Sequence, residues 1–274
     1  MINKKIGFIG AGNMAYSLIG GLIANGCPND LIFISDSSSE RMTVVSSGFS
    51  INQCDSNNEL VKQVDIIILA VKPQILKQVC TEIQAIVQQK SPLLLSIAAG
   101  INSSSINKWL GGQQAIVRTM PNTPALVQSG ATALYATDKV NEEQKTISES
   151  VMRAVGLTLW LEDEEQMDAV TAVSGSGPAY FFLVIEAIEK SAVKLGLDEK
   201  TAHLLAVQTA LGAAKMALES EDTAQTLREK VTSPGGTTEK AIGILQDGDL
   251  LDLFNRALSG AKQRSIELSE ILGK

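Results

Sequence analysis

The stretch IGFIGAGNMAYSLIGGLIANG, residues 6–26, runs from an apolar segment of strand length through a glycine-rich turn into a helical pattern. Its fingerprint is Gly10-x-Gly12-x-x-Ala15, placed after a strand and at the opening of a helix, the context in which such glycines hold a dinucleotide. Gly10 permits the tight turn, Gly12 lets a pyrophosphate approach the backbone, and Ala15 is small enough for the helix to pack on the sheet. The phosphates then meet unpaired backbone N–H groups at the positive end of the helix.

Outward from this unit, apolar runs of strand length recur at 6–9, 31–34, 65–71, 93–97, 115–117, 131–135 and 157–161. Helix-length stretches at 14–25, 39–47 and 74–88 separate the early ones. Strand, helix, strand, helix implies parallel strands joined by crossover helices. The run DIIILAV (65–71) is apolar on both faces, as a central strand covered on both sides requires. Beyond residue 163 strand signals stop, and 202–218, 224–231, 238–245 and 250–272 read as helices, with Asp198 and Asp222 at N-cap positions. The expectation is a doubly wound, mostly parallel α/β domain over 1–163, followed by an all-α domain over 164–274.

Composition narrows the function. The chain has 274 residues, 45% hydrophobic and 19% charged, with a net charge of −7 and no Lys/Arg block, which argues against a nucleic-acid surface. The run AYFFLVIEAI (179–188) is broken by Glu186 and falls short of the ~20 residues of a membrane span. No secretory leader is expected in MINKKIGFIGAG. Cys27, Cys54 and Cys80 have no CxxC spacing and read as reduced thiols, so no metal site is expected and a cytoplasmic location is.

The one histidine, His203, lies beside Leu204 and Leu205 in a helical pattern and reads as a packing or surface residue. Reduction of an alcohol or ketone calls for a positioned acid or base that is hard to find here. The polar loops are RTMPNTPALVQSGAT (118–132), AVSGSGPAY (172–180) and TSPGGTTEKAI (232–242). In the last, Pro234 and two glycines form a turn, and Thr237 or Thr238 starts a helix. The amides of residues 236–238 are then free for a small carboxylate, with Ser233 as a further donor. A carboxylate cradle beside a nicotinamide cofactor fits reduction of an imine, whose nitrogen arrives protonated and needs alignment above all. Thr238 either donates the proton or steers the nitrogen. Asn122, after a strand, is placed to orient either ligand. Ser35 and Asp36 end the second strand at the cofactor's 2′ position. Asp36 suits the ribose hydroxyl of NADH, while the neighbouring serines and Arg41 suit the 2′-phosphate of NADPH, and both readings stand.

The series GFIGAGNMA, DIIILAVKPQ, SIAAGI, VRTMPNTPALVQSGATAL, DAVTAVSGSGPAY and TSPGGTTEKAI resembles the pyrroline-5-carboxylate reductase family, in order and over residues 6 to about 245. The resemblance implies a Rossmann domain and a helical dimerisation domain that interlocks with a second subunit. It implies a homodimer through the C-terminal helices, with a larger ring such as a decamer as an extension. It implies that Gly10, Gly12, Asn13 and Met14 hold the pyrophosphate, that Asn57, Ala70, Val71, Lys72 and Pro73 line the groove, and that Ala98 and Ala99 lie near it. It further implies NADPH, with NADH open because the stretch after the second strand reads SDSSS. Asn122, Ser176, Ser233, Gly236, Thr237 and Thr238 would surround 1-pyrroline-5-carboxylate, with Thr238 as the catalytic residue at the ring nitrogen. Two alternatives remain. A 3-hydroxy-acid or other imine reductase is one, although AVSGSGPAYFF lacks the lysine a 3-hydroxy-acid enzyme would place there. A nucleotide-sensing regulator is the other.

Overall fold

The computed structural model describes residues 3–274. Eight strands form one sheet: β1 (Ile6–Ile9), β2 (Ile32–Ser35), β3 (Asn52–Gln53), β4 (Ile66–Leu69), β5 (Leu93–Ser96), β6 (Ile116–Met120), β7 (Gly130–Ala136) and β8 (Gly156–Trp160). Their order is β3-β2-β1-β4-β5-β6-β7-β8, parallel except for the antiparallel pair β6–β7. The chain moves outward from β1 in one direction, then returns to add β4 on its other side. That reversal is the topological switch point, and ligands bind there at the carboxyl ends of the strands.

Side-chain alternation divides the core between the two faces of the sheet. Ile6, Phe8, Ile32, Ile34, Ile66 and Ile68 pack with the helices α1 (Asn13–Ala24), α2 (Ser39–Phe49) and α6 (Glu142–Arg153). Ile9, Phe33, Ile67 and Leu69 pack with α3 (Asn57–Gln63), α4 (Pro73–Lys90) and α5 (Ser103–Trp109) on the other. Both faces are covered, which is why DIIILAV shows no polar alternation.

The helical half comprises α7 (Gln166–Val170), a π-helical segment Thr171–Gly175, α8 (Gly177–Lys194), α9 (Glu199–Glu219), α10 (Ala224–Lys230), α11 (Thr237–Asp247) and α12 (Leu250–Leu272). Two compact units emerge: the chain through Ser176 together with Gly260–Lys274, and Gly177–Ser259. The helical half expected over 164–274 is thus shared between them. Buried Arg118 on β6 pairs with Glu164 at 3.0 Å, and the same carboxylate accepts the Ser103 amide at 2.6 Å and its hydroxyl at 2.5 Å. Breaking such a buried pair on one side strands a charge, so this knot fixes residues after 163 to the sheet unit. The end of α12 docks there too, with Ser265 Oγ donating to Asp168 at 2.6 Å and Ser105 Oγ to the Gly273 carbonyl at 2.9 Å.

Gln166–Lys194 is one continuous helical stretch, long and apolar enough by length and composition to cross a membrane, with little of its apolar window buried in the single chain. The run AYFFLVIEAI understates its length because the apolar stretch AVTAV, residues 169–173, lies ahead of it on the same helical segment. His203 lies on α9 and its Nδ1 meets Glu189 Oε1 of α8 at 2.7 Å, a surface tie between two helices.

Candidate active site

The glycine loop sits where β1, β2 and β4 end. Gly10 has φ +107°, and a Cβ there would lie 2.5 Å from the Ala70 carbonyl oxygen, so only glycine lets the loop pass β4. Its amide donates to the Ser35 carbonyl at 2.8 Å, and the Ala70 amide donates to Ile9 at 2.8 Å. A Cβ at Gly12 would meet nothing within 4 Å. It faces a cavity of about 900 Å³, at the upper end of the ~300–1,000 Å³ of small-molecule sites. An extended dinucleotide fits such a groove.

Of the residues expected at the cofactor, Gly10, Gly12, Asn13, Ser35, Asp36, Asn57, Ala70, Val71 and Lys72 line this cavity. Met14, Pro73, Ala98 and Ala99 do not. Met14 packs against the sheet core, Pro73 takes the first position of α4, and Ala98 is buried in the core on the α3–α5 face. The lining also includes Tyr16, Ile75 and Glu82, which the sequence reading missed. Ile75, Val79 and Glu82 follow helical spacing after Lys72-Pro73, a signal that one face of α4 borders the groove.

Polar groups tie the floor of the groove together. Ser35 Oγ donates to Asn57 Oδ1 at 3.0 Å, and Asn57 Nδ2 donates to Glu82 Oε2 at 3.0 Å. Asp36 Oδ2 accepts the Ala11 amide at 2.7 Å, and its Oδ1 accepts the Ser38 amide at 2.8 Å.

Helix capping separates ligand ends from structural ends. Side chains of Ser38, Ser56, Asn102, Asn141, Asp198 and Thr223 cap α2, α3, α5, α6, α9 and α10. The cap of α10 is Thr223 and not Asp222, whose carboxylate turns instead to Lys230. No side chain caps α1 (Gly12), α4 (Lys72), α11 (Gly236) or the five-residue α7. The first two of these ends border the groove.

The third opens from the SPGGTT loop of the second unit. The Gly236 amide donates to the Ser233 carbonyl at 3.0 Å across Pro234-Gly235, with Gly235 at φ +72°, a type II turn. This corrects one expectation, because the turn consumes the Gly236 amide that was read as free. The amides of Thr237 and Thr238 keep no partner within the helix. Glu239 reaches back to accept the Gly235 amide at 2.7 Å, which holds the turn closed. Thr238 is half-buried, while Ser233 and Thr237 are exposed.

A family profile described as pyrroline-5-carboxylate reductase dimerisation matches residues 164–268. A second, described as NADP oxidoreductase coenzyme F420-dependent, matches residues 5–100. The chain is 50% identical over 276 residues to the pyrroline-5-carboxylate reductase of Pseudomonas aeruginosa, covering all of both proteins. The Arabidopsis thaliana pyrroline-5-carboxylate reductase is 40% identical, covering 97% of this chain and 96% of that one. Among solved structures, a pyrroline-5-carboxylate reductase from Coxiella burnetii superposes with a TM-score of 0.94 at 45% identity, covering 98% of this chain and 99% of that one. The Plasmodium falciparum pyrroline carboxylate reductase, solved with NADP bound, gives a TM-score of 0.87 at 31% identity, covering 98% and 99%. The chain belongs to the pyrroline-5-carboxylate reductase family.

Membership in this reductase family carries NAD(P)H use and oligomerisation with it. It also sharpens the reading of Asn122. That side chain is buried, its Nδ2 donates to the Ser174 carbonyl at 3.0 Å, and its Oδ1 accepts the Ala131 amide at 2.9 Å. Asn122 therefore pins the π-helical turn that carries Ser174 and Ser176. The widened turn closes with the Ser176 amide on the Thr171 carbonyl at 2.8 Å, and such single π turns gather at functional sites. Neither Asn122 nor Ser176 lines the cofactor cavity.

Proposed function

We propose that the amides of Thr237 and Thr238 hold the carboxylate of 1-pyrroline-5-carboxylate and that the Thr238 hydroxyl meets its ring nitrogen. The chain reduces this cyclic imine to L-proline with NAD(P)H, in proline biosynthesis. When bound, the dinucleotide supplies a hydride to the imine carbon, and the nitrogen ends with one proton, so the C=N bond becomes the C–N bond of proline. The protein's part is alignment and charge. The glycine loop and the uncapped end of α1 hold the pyrophosphate. The uncapped end of α11 holds the carboxylate by the same physics. Ser233 and Gly236 shape the turn in front of it, and in the sheet unit Asn122 holds the π-helical turn next to Ser176 in place.

The observation that carries this reading is the glycine cap of α11, which leaves the amides of Thr237 and Thr238 unpaired by any side-chain cap beside a threonine hydroxyl. No strong acid is required, because an imine nitrogen that arrives protonated makes its own carbon electrophilic. By role we divide the chain into a cofactor part, 1–163, and a dimerisation and substrate part, 164–274, although residues 164–176 and 260–274 pack with the sheet. The dimer forms through the C-terminal helices, whose Phe181, Phe182, Leu183 and Leu211 are largely exposed in the single chain. We assign that apolar surface, including Gln166–Lys194, to a second subunit and not to lipid, with a ring such as a decamer built from dimers. The enzyme works in the cytoplasm, where its three buried thiols stay reduced.

The test is a nicotinamide absorbance assay with purified protein, pyrroline-5-carboxylate, and either NADPH or NADH. Loss of reduced cofactor with stoichiometric formation of proline is expected. No oxidation with either cofactor overturns the reading.

A further inference from the structure

Asp36 stands at the end of β2, where a dinucleotide fold places the acid that reads the ribose 2′-hydroxyl. For that task the carboxylate turns toward the ribose. Here each oxygen already holds a backbone amide. Oδ2 takes the Ala11 amide at 2.7 Å, and Oδ1 takes the Ser38 amide at 2.8 Å. The two donors lie on different loops: Ala11 belongs to the glycine loop after β1, and Ser38 caps α2. The neighbouring Ser35 carbonyl adds a third tie by accepting the Gly10 amide at 2.8 Å.

We infer that Asp36 is a positioning residue that locks the pyrophosphate loop to the turn before α2, and that it does not select NADH over NADPH. The inference rests on the reading of the groove as a dinucleotide site. Three features of the geometry support it. The Ala11 amide is withdrawn from the phosphates, so the anion-facing donors begin at the mouth of α1 and the loop has one defined orientation. The short aspartate side chain spans both amides from a single Cα, which a longer acid cannot do without moving a loop. The polar groups left for the 2′ end are Ser37, Ser38, Glu40 and Arg41, all on the cavity wall beyond Asp36. Two amide hydrogen bonds also temper the carboxylate's charge, so an anion nearby meets less repulsion than a bare acid would impose.

The test compares the full-length protein with Asp36→Asn and Asp36→Glu. Asparagine keeps one acceptor and turns an NH2 toward the other amide. Glutamate keeps the charge but lengthens the arm. Dissociation constants for NADPH and NADH are measured by titration calorimetry on the ligand-free proteins, together with kcat, KM and melting temperature. A positioning role weakens both dinucleotides in both variants by about tenfold, the scale of one charged hydrogen bond. The NADPH-to-NADH ratio stays within about twofold, and KM for each cofactor rises while kcat holds. A general folding defect would instead lower the active fraction and the apparent kcat at unchanged KM, and would overturn the inference. So would a ribose-reading Asp36, for which Asp36→Asn weakens NADH and tightens NADPH while Asp36→Glu keeps NADH binding. Unchanged binding in both variants overturns it as well. If the unaltered protein binds neither dinucleotide, the assignment of the groove fails, and this inference falls with it.

Discussion

The Asn122 side chain donates to the Ser174 carbonyl at 3.0 Å, which joins the turn after β6 to the π-helical segment across 52 residues of sequence. With Oδ1 on the Ala131 amide, both ends of its amide group are committed. Asn122→Ala leaves a half-buried carbonyl and a half-buried N–H without their partner and should cost about 1–3 kcal/mol in all. Urea denaturation checks the loss. In the folded variant, KM for pyrroline-5-carboxylate should rise while the NADPH dissociation constant stays unchanged.

Thr238→Ala should lower kcat by about 10²-fold, the scale of removing one transition-state hydrogen bond. Dinucleotide affinity should not move, because α11 belongs to a different compact unit from the glycine loop. Thr238→Ser keeps the hydroxyl and should recover most of the rate. Steady-state kinetics with calorimetric NADPH binding measures both.

Arg41 lines the cavity beyond Asp36 and is the cation nearest in sequence to that end of the groove. Arg41→Ala should raise KM for NADPH by about tenfold and leave KM for NADH within twofold, as expected for loss of one charged contact. Equal effects on both cofactors would place the 2′ recognition elsewhere.

Burial pushes Cys80 up to about 12, and burial, helped by Glu59 and Asp55, pushes Cys54 up to about 11, from an ordinary thiol value of 9.0. Burial also raises Cys27, with Asp30 adding to it. A folded-state value above the unfolded one contributes stability in full below about pH 9, and that contribution is lost as pH rises through the folded values. Denaturation midpoints should therefore fall between about pH 9 and 12. Native protein at pH 8 should resist iodoacetamide, while urea should expose all three thiols to it.

Phe181 and Phe182 are 69% and 66% exposed in the single chain, far from what apolar side chains of their size tolerate together. Phe182→Glu should shift the light-scattering mass toward the monomer at micromolar concentration. An unaltered oligomer would place the subunit interface elsewhere on the helical half.

The sheet was legible because its central strands are buried on both faces and its glycine loop follows a strand directly. The antiparallel β6–β7 pair was not, since a run such as Ala131–Leu134 carries no sign of direction; only the turn through Pro121 and Pro124 decides it. Helices α3 and α5 span seven residues each, too short for a 3.6-residue period to stand out. Within the candidate site, the glycines and threonines were readable from turn chemistry. The commitments of Asp36 and Asn122 were not, because their partners Ala11 and Ser174 lie 25 and 52 residues away. The Gly236 amide was misread for a local reason. A Ser-Pro-Gly-Gly sequence that opens a helix also closes a turn, and the two compete for one N–H.

The glycine caps of α1 and α11 leave the empty enzyme short of hydrogen bonds that serine or aspartate caps would supply, a deficit of a few tenths of a kcal/mol to about 2 kcal/mol at each end. On the proposed reading, an arriving anion supplies those bonds in place of a side chain. Each ligand therefore doubles as a structural part of the protein. Saturating dinucleotide, at about 100 times its dissociation constant, should add about 2.7 kcal/mol to unfolding. A proline-like carboxylate bound to the second end should protect its own helix on top of that. On this reading, protein saturated with both ligands should unfold at higher denaturant than protein with either one alone.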